Sequence, residues 1–196
     1  MLLARCPAVK LIQRLGERRQ GVDLAAAAAR GIQVSCLPRR SLAYTAEHAM
    51  LLMLALCKNL VAADAAVRRG AVGGVAGSIA YNWAGIAPLG GLHGRRLGIL
   101  GLGEVGALVA QRARAFGMHI LYTNRGRLAE PVERELGASY RPVDALLAEA
   151  DIVSIHASNL PENRGTFGER QLRAMRRYWP DSFKARVCLQ RLRGEP

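Results

Sequence analysis

One stretch, LGILGLGEVGALVAQRARAFGMHILYTNR at residues 97–125, constrains this chain more than any other. Leu97 to Leu100 is a short apolar run of the kind that forms a strand buried in a parallel sheet. Gly101-Leu102-Gly103-Glu104-Val105-Gly106 follows as a complete G-x-G-x-x-G. From Glu104 to Phe116 the spacing is helical, with Val105, Leu108, Val109, Arg112 and Phe116 recurring at three and four. Gly117 stands where a left-handed cap closes such a helix. Met118 to Thr123 is apolar and partly β-branched or aromatic, and reads as a second strand.

Each glycine has a physical reason. Gly101 permits the tight turn out of the strand, Gly103 clears a side chain from the path of a pyrophosphate, and Gly106 lets helix and strand pack closely. The unpaired N–H groups and the dipole at the helix start then favour phosphate. Alone the motif is weak evidence, because the chain carries 21 glycines; between a strand and a helix it is strong. In NAD sites a carboxylate about 20 residues after the glycines holds the adenosine ribose. Here that position is Asn124, followed by Arg125, Gly126 and Arg127. A carboxylate would repel a 2′-phosphate, whereas an amide with guanidiniums would accept one. The expected cofactor is therefore NADP in preference to NAD.

Charge and cysteine usage narrow the class. The 196 residues carry 28 Lys and Arg against 15 Asp and Glu, a formal net charge of +13, and the excess is concentrated in residues 1–40 and 164–196. No nucleic-acid-binding motif accompanies it and aromatics are sparse, so a nucleic-acid partner is the least favoured reading. The four cysteines, Cys6, Cys36, Cys57 and Cys188, have no metal-ligand spacing, so no metal site is expected and the thiols fit a reducing cytosol. The start, MLLARCPAVKLIQ, makes a poor signal peptide, and the apolar run Ala49 to Cys57 is too short to span a bilayer. A soluble cytoplasmic protein with no membrane partner is expected.

Along the chain, Val9 to Leu15 reads as a strand, Asp23 caps an alanine-rich helix through Arg30, and Ile32 to Leu37 forms another strand. A long helical pattern runs from about Thr45 to Arg69, apolar over most of its circumference near Met50 to Leu60, as in a helix buried between two bodies. Gly70 to Gly94 reads as a connecting loop. Beyond Asn124, helices are expected near Leu128 to Leu136, over Val143 to Glu149 and from Glu169 to Arg177. Strands are expected at Ser139-Tyr140 and over Asp151 to His156.

Taken together, VKLIQRLG, GVDLAAAAARGIQV, TAEHAMLLMLAL, GLHGRRLGILGLGEVGALVAQRARAFGMHILY, ALLAEADIVSIHASNLPENRG and LRAM resemble the D-isomer-specific 2-hydroxyacid dehydrogenase family over about residues 8 to 176. The resemblance implies an α/β fold: a doubly wound, Rossmann-like parallel sheet, here incomplete with strand order 3-2-1-4, and a partial flavodoxin-like substrate domain. It divides the chain into a partial substrate domain at 1–44, an interdomain helix at 45–70, a connecting loop at 71–94, the cofactor domain at 95–177 and a non-family tail at 178–196. The implied reaction is reversible hydride transfer between NAD(P) and a 2-keto acid, with a homodimer as the common family assembly. Carried over position by position, the cofactor residues are Gly101, Gly103 and Gly106, with the backbone N–H groups of Glu104 and Val105 at the pyrophosphate. Asn124 and Arg125 stand at the ribose, and His156 and Ala157 at the adenine-side rim. Read alone, His156 is a hydrogen-bonded strand-end histidine rather than a catalytic one.

Three departures from the family pattern set the functional expectation. The chain starts well inside the substrate domain. Glu17-Arg18-Arg19-Gln20 replaces a glycine-containing loop that holds the substrate carboxylate in many members; Arg18 or Arg19 would have to serve, against a solvated turn as the plainer reading. Near Met175 the pattern gives way to arginine-rich sequence resembling a frameshifted tail, with no counterpart to the family's substrate-binding Arg, acid and proton-transferring His. No catalytic residue is therefore assigned. The expectation is an NAD(P)-binding oxidoreductase domain that is inactive alone, with a non-catalytic NADPH-binding module as the alternative and a basic nucleic-acid-associated fragment behind it.

Overall fold

A computed structural model of the chain describes residues 6–16, 21–70, 90–157 and 167–175. The readings made above for Glu17 to Gln20, for most of the connecting loop and for the tail lie outside the described residues. The chain divides into two compact units, Met1–Ala43 and Tyr44–Pro196.

In the first unit, β1 (Leu11–Leu15) and β2 (Gln33–Leu37) pair in parallel, Leu11 opposite Gln33 and Leu15 opposite Leu37. Parallel neighbours need a crossover, and α1 (Leu24–Ala29) supplies it. Asp23 caps that helix as its sequence suggests, its Oδ1 accepting the Ala26 N–H at 2.9 Å. Ala27 and Ile32 are buried where the helix returns to the strand.

The second unit begins within α2 (Leu42–Cys57) and continues into α3 (Leu60–Arg68). The sequence pattern suggests one helix over Thr45 to Arg69; the structure breaks it at Asn59, whose φ of 46° is left-handed, and bends the two pieces by 66°. Apolar periodicity runs through such a break unchanged. Only the asparagine, which tolerates this conformation better than most residues, marks it. The helix is also buried on one stripe rather than all round: Ala46, Met50, Met53 and Cys57 are buried, while Leu51 and Leu52 are exposed. Among the described residues no single helix is long and apolar enough to cross a membrane.

The main sheet comprises β3 (Arg96–Leu100), β4 (His119–Thr123), β5 (Ala138–Tyr140) and β6 (Ile152–Ile155), all parallel in the order β5-β4-β3-β6. This is the 3-2-1-4 order expected from the sequence. α4 (Glu104–Ala115), α5 (Glu130–Leu136) and α6 (Val143–Glu149) connect successive strands, and α7 (Glu169–Ala174) follows β6. Because side chains alternate along a strand, the two sheet faces recruit different partners. Leu97, Ile99, Ile120 and Tyr122 pack with Val109, Ala110 and Ala113 of α4 and with Met50 and Met53 of α2. Leu100, Leu121 and Val153 turn the other way, against Leu146 and Leu147 of α6 and Phe167. Helices on both faces are why the central strands β3 and β4 are so apolar.

Gly98 lies on the α6 face. A Cβ there would sit 2.5 Å from Leu146 Cδ2 and 3.0 Å from the Ala150 Cβ, both on fully buried residues. Replacing Gly98 by Val should therefore overpack the interface and cost about 1–3 kcal/mol. Urea denaturation of the purified variant measures this, and an unchanged midpoint would show that α6 is not seated on β3 as described.

Candidate functional site

β4, β3 and β6 are adjacent and parallel, so their C-terminal ends share one edge of the sheet. In open α/β sheets this edge is where ligands bind. The sequence-derived site residues, scattered over 57 positions, all fall here. Gly101, Gly103, Glu104, Val105 and Gly106 follow β3, Asn124 and Arg125 follow β4, and His156 and Ala157 follow β6.

Backbone hydrogen bonds fix the three exits. The Gly101 N–H donates to the Thr123 carbonyl at 3.0 Å, and the His156 N–H donates to the Leu100 carbonyl at 2.8 Å. Gly101 has a φ of +95°, and a Cβ on it would lie 2.6 Å from the Ala157 nitrogen. Both the conformation and the space exclude a side chain. A Cβ on Gly106 would meet the Gly101 carbonyl oxygen and approach Ile99 Cγ2 to 3.2 Å, so the first turn of α4 rests directly on the strand exit. Gly103 is the N-cap of this 12-residue helix and supplies no capping side chain. Its carbonyl accepts the Ala107 N–H at 2.8 Å. The first-turn N–H groups, which have no partner within the helix, thus stand at its positive end beside a bare backbone. Backbone cleared of side chains at this point is the cradle that a pyrophosphate requires.

The ribose end is built from side chains. The Leu102 N–H donates to Asn124 Oδ1 at 2.7 Å, and Asn124 Nδ2 donates back to the Leu102 carbonyl at 3.4 Å. The carboxamide thereby ties the tip of β4 to the glycine turn in both directions, where a carboxylate could only accept. Arg125 follows, exposed. The second guanidinium of the turn, Arg127, faces elsewhere. Its Nε and Nη2 donate to Glu133 Oε1 and Oε2 at 2.9 Å each. Glu133 also accepts from the Tyr122 hydroxyl at 2.6 Å, and that hydroxyl accepts the Leu128 N–H at 2.8 Å. Tyr122 is fully buried and stacks edge-on against Tyr140, ring centroids 5.5 Å apart.

Glu133 thus engages bidentately the Arg127 guanidinium that the sequence offers behind Arg125. Sequence reading missed Tyr122 and Glu133 as determinants of this turn. They stand 11 positions apart, one on a strand and one on a helix, so no periodicity links them. The usable signal was a tyrosine in an otherwise apolar strand, since a buried hydroxyl requires a partner. At the opposite rim, Ser154 Oγ lies 2.8 Å from His156 Nε2, so the imidazole is hydrogen-bonded within β6 and its exit.

Comparisons with known proteins agree with the parallel α/β architecture. The family described as "D-isomer specific 2-hydroxyacid dehydrogenase, NAD binding domain" matches residues 50–178. A glyoxylate reductase of Aeropyrum pernix is 37% identical over 177 residues, covering 90% of this chain and 51% of that protein. The D-3-phosphoglycerate dehydrogenase of Mycobacterium tuberculosis is 34% identical over 176 residues, covering 87% of this chain and 30% of that protein. Among solved structures, a glyoxylate reductase from Paecilomyes thermophila superposes with a TM-score of 0.62 at 35% identity, covering 87% of this chain and 48% of that one. The chain spans about half the length of these glyoxylate reductases.

The Glu133 node has a pH signature. The Arg127 guanidinium first, and the Tyr122 hydroxyl second, hold the Glu133 carboxyl down from its ordinary 4.5 to about 2. A group with a depressed folded-state pKa stabilises the fold above its unfolded value, and that contribution is lost as pH falls through the folded one. Thermal stability should therefore decline from pH 4.5 toward 2 more steeply in the wild type than in Glu133→Gln. Melting curves of both proteins across that interval measure the difference, and parallel curves would remove the carboxylate from the account.

Proposed function

Since the chain belongs to the D-isomer-specific 2-hydroxyacid dehydrogenase family, we propose that it binds the adenosine–pyrophosphate half of NAD(P), with NADP(H) preferred, at the C-terminal edge of the β5-β4-β3-β6 sheet. The observation that carries the reading is the glycine turn. Gly101 and Gly106 have no room for a side chain, and the start of α4 stands beside them, flanked by the ends of β4 and β6. In this reading the N–H groups of Glu104 and Val105 bind the pyrophosphate, and Gly103 lets it approach. Asn124 keeps the turn in register and, with Arg125, meets the ribose without a repelling carboxylate. His156 and Ala157 form the opposite rim. Gly101, by its fit against Ala157, sets how far that rim stands from the turn.

Bound NAD(P)H would supply a hydride, and the substrate class is a small 2-keto acid, with glyoxylate the first to try because similar proteins are named glyoxylate reductases. Within the 196 residues, the Arg, acid and His by which the family polarises the keto oxygen and delivers the proton have no counterpart to the family pattern. Those contributions are worth orders of magnitude each. Cofactor binding without measurable glyoxylate reduction is therefore expected of this chain alone, which makes a cofactor-binding module the second reading.

Titration with NADPH and NADH, following cofactor fluorescence, tests the proposal. Saturable binding with NADPH tighter supports it, and no binding of either would sink it. Asn124→Asp should weaken NADPH by on the order of ten-fold while sparing NADH, because the new carboxylate faces the 2′-phosphate. Equal weakening of both cofactors would mean that position 124 serves only to hold the turn.

A further inference from the structure

The turn after β4 offers two guanidiniums to a 2′-phosphate by sequence, Arg125 and Arg127. We infer that Glu133 is a specificity-determining residue that withholds Arg127 from the cofactor's 2′-phosphate, so that phosphate recognition at this edge runs below what the turn's own residues could provide. The inference deepens the cofactor reading above and rests on its placement of the ribose at Asn124.

The geometry carries it in three steps. First, Arg127 is engaged through two different nitrogens with the two oxygens of one carboxylate, each at 2.9 Å. A bidentate pair fixes the direction of the planar guanidinium, not only its position. Arg127 cannot keep this fork and present the same edge to a phosphate. Second, the carboxylate is anchored. Glu133 is buried with 7% of its surface exposed, and Tyr122 from the sheet core donates to it. In the competition for the guanidinium, Glu133 therefore holds its position. Third, the same hydroxyl accepts the N–H of Leu128, the residue after Arg127, so the backbone carrying Arg127 is fastened to the same node. The Arg127 side chain itself is 65% exposed. It therefore has solvent on one side into which it could swing once the carboxylate charge is removed.

Glutamine at position 133 keeps the shape of the side chain and an acceptor for Tyr122 but removes the charge and the second acceptor oxygen. Arg127 is then available to a phosphate within the same turn. A charge-assisted hydrogen bond gained in this way corresponds to on the order of a ten-fold gain in affinity.

The test uses the full chain and two adenosine fragments, 2′,5′-ADP and 5′-AMP, with dissociation constants measured by calorimetry. The readout is the ratio of the two constants, since a merely structural role for Glu133 would weaken both ligands together and leave the ratio alone. Glu133→Gln should raise the preference for 2′,5′-ADP by about ten-fold. The double variant Arg127→Met/Glu133→Gln should return it to within about two-fold of the wild type, because the gain requires Arg127. An unmoved ratio in a folded Glu133→Gln overturns the inference, and so does a gain that survives in the double variant. If Glu133→Gln does not fold, the double variant still decides: a ratio about ten-fold below wild type would mean that Arg127 already reads the phosphate, which also overturns it. The two proposals fail differently. A wild type that prefers 5′-AMP, with the ratio still shifted by Glu133→Gln, refutes the NADP preference and upholds the role of Glu133. Binding of neither fragment by any of the proteins refutes both.

Discussion

At Gly101 three stretches of backbone come together with no space for a side chain, and the rest of the sheet edge depends on that contact. The residue leaves β3 with a positive φ, lies against the backbone of His156 and Ala157 beyond β6, and offers its carbonyl to the approach of Gly106 at the start of α4. A methyl group at Gly101 would push the exit of β6 outward, and one at Gly106 would tilt α4 away from Ile99. The tilt of α4 reaches the core directly, because Ile99 and Val109 are fully buried on that face. The feature that leaves the backbone bare for a phosphate is thus also the feature that lets helix and sheet close over an apolar interior.

A second dependency runs through Tyr122. Its ring belongs to the core, between β4 and the helix face, yet its hydroxyl has to be satisfied away from water. The chain meets that requirement at the end of the sheet, with a carboxylate from α5 and a backbone N–H from the turn. Burial also pushes the Tyr122 hydroxyl up from its ordinary pKa, with the bond to Glu133 acting in the same direction, so the phenol stays protonated and remains a donor. The conformation of the surface turn is thereby set from inside the domain rather than by the turn's own residues.

These two dependencies explain what the sequence alone makes legible. Strand–turn–helix punctuation is local, so the glycine motif, the Gly117 and Gly137 helix ends and the 3-2-1-4 strand order can be read without coordinates. So can the gathering of positions 101, 124 and 156, because parallel strands must end on one edge. The break at Asn59 could not, since apolar spacing passes through it and only one asparagine announces it. Nor could the partner of Arg127, a glutamate supplied by the next helix. Long-range side-chain pairs leave no period in a sequence.

Asn124 shows why fold and cofactor choice are separable here. The exits of β3, β4 and β6 are fixed by backbone bonds, Gly101 to Thr123 and His156 to Leu100, which do not depend on the identity of residue 124. The carboxamide then adds a reciprocal clasp on Leu102 without adding charge. A carboxylate at the same point could keep the accepting half of that clasp while repelling a 2′-phosphate. Charge at the strand tip can therefore change with the turn still largely held, while a side chain at Gly101 cannot be accommodated at all. The two arginines behind the tip fall on the changeable side of that division. Their contribution is set by which neighbour each one faces, and for Arg127 that neighbour is supplied by α5, outside the glycine motif altogether.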